Sequence, residues 1–170
     1  MTASPKTILM LRHGKSDWQA AYGADHERPL AARGRRASRL VGRWVERTGL
    51  TPDLVLTSDA VRARTTAELA AAAGGWGSPI RLEPGFYGES PAALVGALRG
   101  LDEGVRTVLL AGHYPTWPET IARLTGGGRI RFPTAALAGL GYAGAWRDVG
   151  GRSCELLWLV TPKLLAAVME

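Results

Sequence analysis

The stretch Ile8-Leu9-Met10-Leu11-Arg12-His13-Gly14 carries a cation and an imidazole from the end of a short apolar strand into a glycine turn. In an open α/β sheet, ligands bind beyond the carboxyl ends of the strands, which is where Arg12 and His13 would then lie. Gly14 has no Cβ, so a ligand or a neighbouring backbone can come close. The arrangement points to a phosphate-handling histidine. A histidine beside an arginine is also an ordinary loop pair, so the rest of the chain has to decide.

Outward from this strand, apolar runs near 7–11, 53–57, 80–82 and 105–111 alternate with helical patterns near 31–47, 59–73, 91–100 and 117–124. That alternation implies a largely parallel sheet. Runs 135–141 and 154–160 read as two further strands of undetermined direction. The expected architecture is α/β, one domain over 1–170, a three-layer α/β/α arrangement with helices on both faces of a mostly parallel sheet. Ser58 and Ser90 read as helix N-caps, the latter before Pro91, while Gly74 and Gly75 close the second helix. Segment 12–29 is charged, lacks helical period and reads as a surface loop of a length that often carries function. Gly126, Gly127 and Gly128 form a turn, since no strand leads into them and no Lys-Ser or Lys-Thr follows.

At 170 residues with 46% hydrophobic content, the chain can bury a core on both faces of a small sheet. Cys154 is the only cysteine, which excludes an intrachain disulfide and a cysteine-based metal site. The few apolar residues ahead of Arg12 lack the length and flanks of a signal peptide or membrane span, so a cytoplasmic location without membrane partners is expected. The formal charge of +6 comes from 21 basic and 15 acidic residues. Arg36, Arg39, Arg43 and Arg47, however, form one stripe of a helix whose other stripe is Ala37, Leu40, Val41, Trp44 and Val45. A solvated helix face accounts for most of the excess, and without stacking aromatics or a reading motif nucleic acid is not an expected partner.

A second imidazole repeats the first placement, because the strand near 105–111 runs into Gly112 and His113. Arg62 lies near the start of the helix that follows strand 53–57. If these strands are neighbours, Arg12, His13, Arg62 and His113 converge on one pocket with at least two fixed positive charges, suited to a phosphoryl group. In this order the chain resembles the histidine phosphatase superfamily and its small SixA-like phosphohistidine phosphatase branch. The resemblance rests on LRHGKSDW (Leu11 to Trp18), ERPL (Glu27 to Leu30) with Gly34, PDLVLTS (Pro52 to Ser58), Arg62 with Ala63 and Thr66, FYGESP within Leu82 to Pro91, and VLLAGHYP (Val108 to Pro115).

The resemblance implies that His13 takes the phosphoryl group, that Arg12 and Arg62 clamp its oxygens, and that His113 stabilises charge on the transferring group. Phosphoryl transfer depends on positioning and charge neutralisation, and guanidinium offers paired donors in a rigid fork. Nearby arginines also favour the neutral, nucleophilic imidazole. No cofactor or metal is expected, because the arginines supply the positive charge. The bland alternatives are a loop histidine at 13, a solvated arginine at 62 and a loop-holding histidine at 113. Arg28 either approaches the phosphate or pairs with Asp25 or Glu27. Gly14 and Trp18 are assigned to substrate binding; Trp18 and Trp117 either wall the pocket or pack beneath it. Lys15 and Asp17 are candidates for tuning substrate choice, and His26 has no chemical role.

No carboxylate matches the general acid of ester-cleaving relatives convincingly; Asp17, Glu83 and Glu89 are the weak candidates. An imidazole leaving group, whose conjugate acid has a pKa of about 6.5, departs with modest proton assistance. The expected activity is therefore a phosphatase working through a phosphohistidine intermediate on phosphohistidine in a protein. The alternatives are a monoesterase acting on a small phosphorylated metabolite, with Glu89 or Asp17 as acid, and a non-catalytic phosphate-binding regulator.

Overall fold

In a computed structural model describing residues 5–170, strand β1 (Lys6–Arg12) has Ile8, Leu9, Met10 and Leu11 fully buried. The first four residues of the domain expected over 1–170 lie outside the described residues. A strand buried on both faces needs an unbroken apolar run rather than alternation, and this run supplies it. After β1 the chain forms α1 (Ala32–Arg47), β2 (Leu54–Thr57), α2 (Val61–Gly74), β3 (Ile80–Leu82) and α3 (Pro91–Arg99). It continues through β4 (Thr107–Gly112), α4 (Thr116–Thr125), β5 (Leu137–Tyr142), β6 (Cys154–Val160) and α5 (Pro162–Met169).

The six strands form one sheet in the order β3-β2-β4-β1-β5-β6. The pairs β1 with β4, β4 with β2 and β2 with β3 are parallel, and β5 and β6 add an antiparallel edge. Ile8 and Met10 face a core that includes Leu94, Val95 and Leu98 of α3 and Trp117, Ile121 and Leu124 of α4. Leu9 and Leu11 face the other core, built with Leu40, Val41 and Val45 of α1, Ala67 and Ala70 of α2, and Leu165 of α5. The mostly parallel α/β/α layering follows directly.

Two local expectations need correction. Ser58 does not cap α2, whose N-cap is Ala60; its hydroxyl instead accepts from the Ala60 N–H and meets His113. Segment 12–29 is not uniformly surface loop, because Ser16 and Arg28 are buried, Ser16 bridges to Leu30, and Asp25–Glu27 make a 3-10 turn. The terminal helix α5 was not anticipated. Its Thr161 accepts from the Leu164 N–H, and Leu165 plugs the core beside α1. No described helix is long and apolar enough to cross a membrane.

Candidate active site

Parallel register places the site. Arg12 pairs with Gly112 and Thr57 with Ala111, so Arg12-His13, Ser58 and His113 leave adjacent strands at the same end of the sheet. The His13 N–H donates to Gly112 O at 2.9 Å and the Ser58 N–H to Ala111 O at 3.0 Å, extending the ladders into the turns. Gly112 is needed because the Trp117 ring occupies the space a Cβ would take, within 2.1 Å. Trp117 is fully buried under the site and donates to Leu110 O, so it packs rather than walls the pocket.

A cavity of about 240 Å³ opens there, lined by Arg12, His13, Lys15, Ser16, Trp18, Arg28, Arg62, His113, Tyr114 and Thr134. The four sequence-predicted groups therefore share one pocket. Trp18 stands exposed at the rim with the Arg28 guanidinium 3.7 Å from its ring centroid. Gly14 is not in the lining. Its N–H donates to Thr66 Oγ1 at 3.0 Å, and a Cβ on it would come within 2.7 Å of Gly34 O, so it serves the close approach of this turn to α1.

His13 Nδ1 lies 2.7 Å from Gly14 O. A carbonyl can only accept, so the hydrogen sits on Nδ1 and the Nε2 lone pair is free. Burial pushes the His13 pKa down to about 4, reinforced by Arg62, Arg12 and Arg28 and opposed by the bond to Gly14. His113, whose ring centroid is 5.4 Å from that of His13, is pushed to about 3 by burial and by the neighbouring His13 and Arg62. Its Nε2 is 2.8 Å from Ser58 Oγ. Ser58 Oγ also accepts from the Ala60 N–H and keeps its hydrogen and a second lone pair to meet His113 Nε2. His113 Nδ1, Arg12 Nε and Arg62 Nε are buried without a protein hydrogen-bond partner. Two buried guanidinium donors without partners, on residues of one small cavity, suit an oxyanion, since orphaned polar groups are costly.

The arginines are held in place from behind. Arg12 Nη1 donates to Phe132 O at 2.9 Å. Arg62 donates to the backbone oxygen of Asp25 at 2.8 Å and to its Oδ2 at 3.1 Å. Arg28 takes both places the sequence left open. It lines the cavity and donates to Ser16 Oγ, while its Nη2 pairs with Asp25 Oδ1 at 2.9 Å. Tyr87 also donates to Asp25 Oδ2, at 2.9 Å. Hydrogen bonds from Arg28 and Tyr87, with the charge of Arg62, lower the Asp25 carboxyl to about 2. Sequence reasoning saw Asp25 only as a partner for Arg28 and missed its hold on Arg62, together with Ser58, Tyr87 and Tyr114. The last two sit inside the quoted FYGESP and VLLAGHYP stretches.

None of the three carboxylates weighed as an acid lines the cavity. Asp17 Oδ1 accepts from the Gln19 N–H, Glu83 pairs with Arg81, and Glu89 is exposed. His26 meets Asp59 at 2.9 Å outside the lining. Among the described residues no three His, Cys, Asp or Glu side chains gather as metal ligands.

Residues 8–88 match the family model described as the histidine phosphatase superfamily, branch 1. An uncharacterized Mycobacterium tuberculosis protein is 34% identical over 163 residues, covering 90% of this chain and all of the relative. A structure of a Nakamurella multipartitia protein assigned as phosphohistidine phosphatase SixA superposes with TM-score 0.82 and 27% identity, covering 95% of this chain and 99% of that one. The protein histidine phosphatase SixA complexed with tungstate gives TM-score 0.81 and 26% identity over 92% of this chain and 97% of that one.

Proposed function

Because this chain belongs to the histidine phosphatase superfamily, we propose that it is a phosphatase whose His13 accepts a phosphoryl group, and that its substrate is phosphohistidine in a protein. The observation carrying the second half is the absence of any carboxylate in the cavity lining, combined with the state of Asp25, the acid bonded to two of the lining arginines. Asp25 accepts from Arg28, Arg62 and Tyr87 and is held ionised far below neutral pH, so it has no proton to give a departing alkoxide. A phosphohistidine ring protonated on its second nitrogen departs with the N–P electron pair as a neutral imidazole and needs no acid from the enzyme. The acid-poor pocket therefore suits nitrogen-linked phosphate.

In the proposed reaction His13 Nε2 attacks phosphorus in line as the substrate N–P bond breaks. Positive charge develops on the His13 ring as its Nε2 is phosphorylated, and the Nδ1–H bond to Gly14 O stabilises it. Arg12 and Arg62 neutralise the equatorial oxygens, and the neutral His113 ring beside them stabilises charge on the transferring group. Water then attacks the phosphorus held on His13, the Nε2–P bond breaks with its electron pair returning to Nε2, and inorganic phosphate leaves carrying the water's oxygen and protons.

A matched substrate panel tests this reading. A phosphohistidine peptide should be hydrolysed much faster than the corresponding phosphoserine peptide or a sugar phosphate, and the reverse order would refute it.

A further inference from the structure

Beside the catalytic cavity lies a larger one of about 710 Å³, lined by Lys15, Arg33, Ala37, Arg131, Pro133, Thr134, Thr161, Pro162 and Lys163. The two cavities share Lys15 and Thr134, so one opens beside the other. Topology explains the adjacency. Because β5 and β6 are antiparallel, with Leu137 opposite Val160, the start of β5 and the end of β6 come to the same edge of the sheet as Arg12. The α1 helix packs against α5 and closes the groove from the side.

The lining holds four cations and no carboxylate. Among the described residues, none of Lys15, Arg33, Arg131 and Lys163 pairs with an acid, although other basic residues here do. Two of the four also stand where helix geometry disfavours them: Arg33 and Lys163 occupy the first turns of α1 and α5, at the positive ends of the helix dipoles. Four unpaired like charges around one cavity serve stability poorly and serve an anionic ligand well. The volume falls in the range of a full ligand site, about three times that of the catalytic cavity, so one additional phosphate would leave most of it empty. Ala37, Pro133 and Pro162 offer apolar surface for the carbon stems of a chain.

We propose that this groove binds an acidic segment of the substrate protein next to its phosphohistidine, with Glu or Asp side chains facing Arg33, Arg131 and Lys163 while the phosphoryl group enters the cavity of His13. This inference rests on the phosphohistidine reading above. It makes the groove a specificity-determining surface for the same reaction.

The test compares phosphohistidine peptides with glutamate flanks against otherwise identical peptides with glutamine flanks, in the wild-type protein and in the double variant Arg33→Glu/Lys163→Glu. The glutamate peptide should be favoured in kcat/KM by about tenfold in the wild type, chiefly through KM, and the variant should lose that preference. Turnover of phosphoramidate, too small to reach the groove, should be unchanged. Thermal stability should hold or rise, because carboxylates suit the first turn of a helix. Equal kcat/KM for the two peptides in the wild type, or an equal loss on all substrates in the variant, would overturn the groove assignment while leaving the phosphohistidine reading intact. Hydrolysis of phosphate esters with no turnover of either peptide would instead overturn the phosphohistidine reading. A charge-reversal-sensitive preference for esters bearing a second phosphate would then give the groove to a small polyanion and refute the peptide assignment.

Discussion

Acidification should destabilise the fold well before its carboxylates titrate, and the two pocket histidines set the size of the effect. The pKa of His13 falls from 6.5 to about 4 and that of His113 from 6.5 to about 3, each led by burial. Both native values lie below the unfolded one, so on lowering the pH the unfolded chain binds protons first. Stability is therefore full above about pH 6.5 and erodes as the pH falls toward 4. Between about pH 6.5 and 5 each histidine should cost about 2 kcal/mol, or about 4 kcal/mol for the pair, a large share of the total stability of a domain. Asp25, lowered from 3.8 to about 2, loses its contribution only below that window. Urea denaturation at pH 7 and pH 5 measures the difference, and His113→Asn should remove about half of it. Equal midpoints at the two pH values would refute the claim that both rings are held neutral in the native state. The same neutrality should keep the His13 Nε2 lone pair, detected by nitrogen NMR, unprotonated at pH 5.

Arg12→Ala and Arg62→Ala should each lower turnover by about a hundredfold, the scale for removing a preorganised charged donor, with circular dichroism confirming the fold. Asp25→Asn keeps the backbone bond to Arg62 but loses the carboxylate charge that orients Arg62 and Arg28; steady-state kinetics should show about a tenfold drop. Its stability should change by no more than about 1 kcal/mol, because the side chain is half-exposed. Gly34→Ala places a Cβ 2.2 Å from Lys15 O, which should cost about 1–3 kcal/mol in denaturant unfolding and reduce turnover by displacing the Lys15-Ser16 edge of the pocket.

Much of this was legible in the chain. The run Ile8 to Leu11 reads as a short apolar strand delivering Arg12 and His13 to its end, and the arginine and apolar stripes of α1 give its solvated and buried faces. The strand-end placements of His13 and His113 needed only the parallel register to bring them together. What escaped reading depended on contacts distant in sequence or on direction. An apolar run carries no polarity, so the antiparallel edge of β5 and β6 was invisible, and with it the basic groove it creates. The short α5 has one fully buried side chain, Leu165, and offered too little periodicity. Ser58 passed for a helix cap because the helix begins only a few residues on, and nothing local shows a hydroxyl turned toward an imidazole 55 residues away. Asp25 looked like a local partner for Arg28 because Arg62, 37 residues further on, reaches it only through the fold.

The central claim is that His13 becomes phosphorylated during turnover. Rapid mixing with a phosphorus-labelled substrate followed by alkaline quench should trap label on the protein at His13, released by acid and absent in His13→Ala. Label that survives acid, or that persists unchanged in His13→Ala, would contradict it.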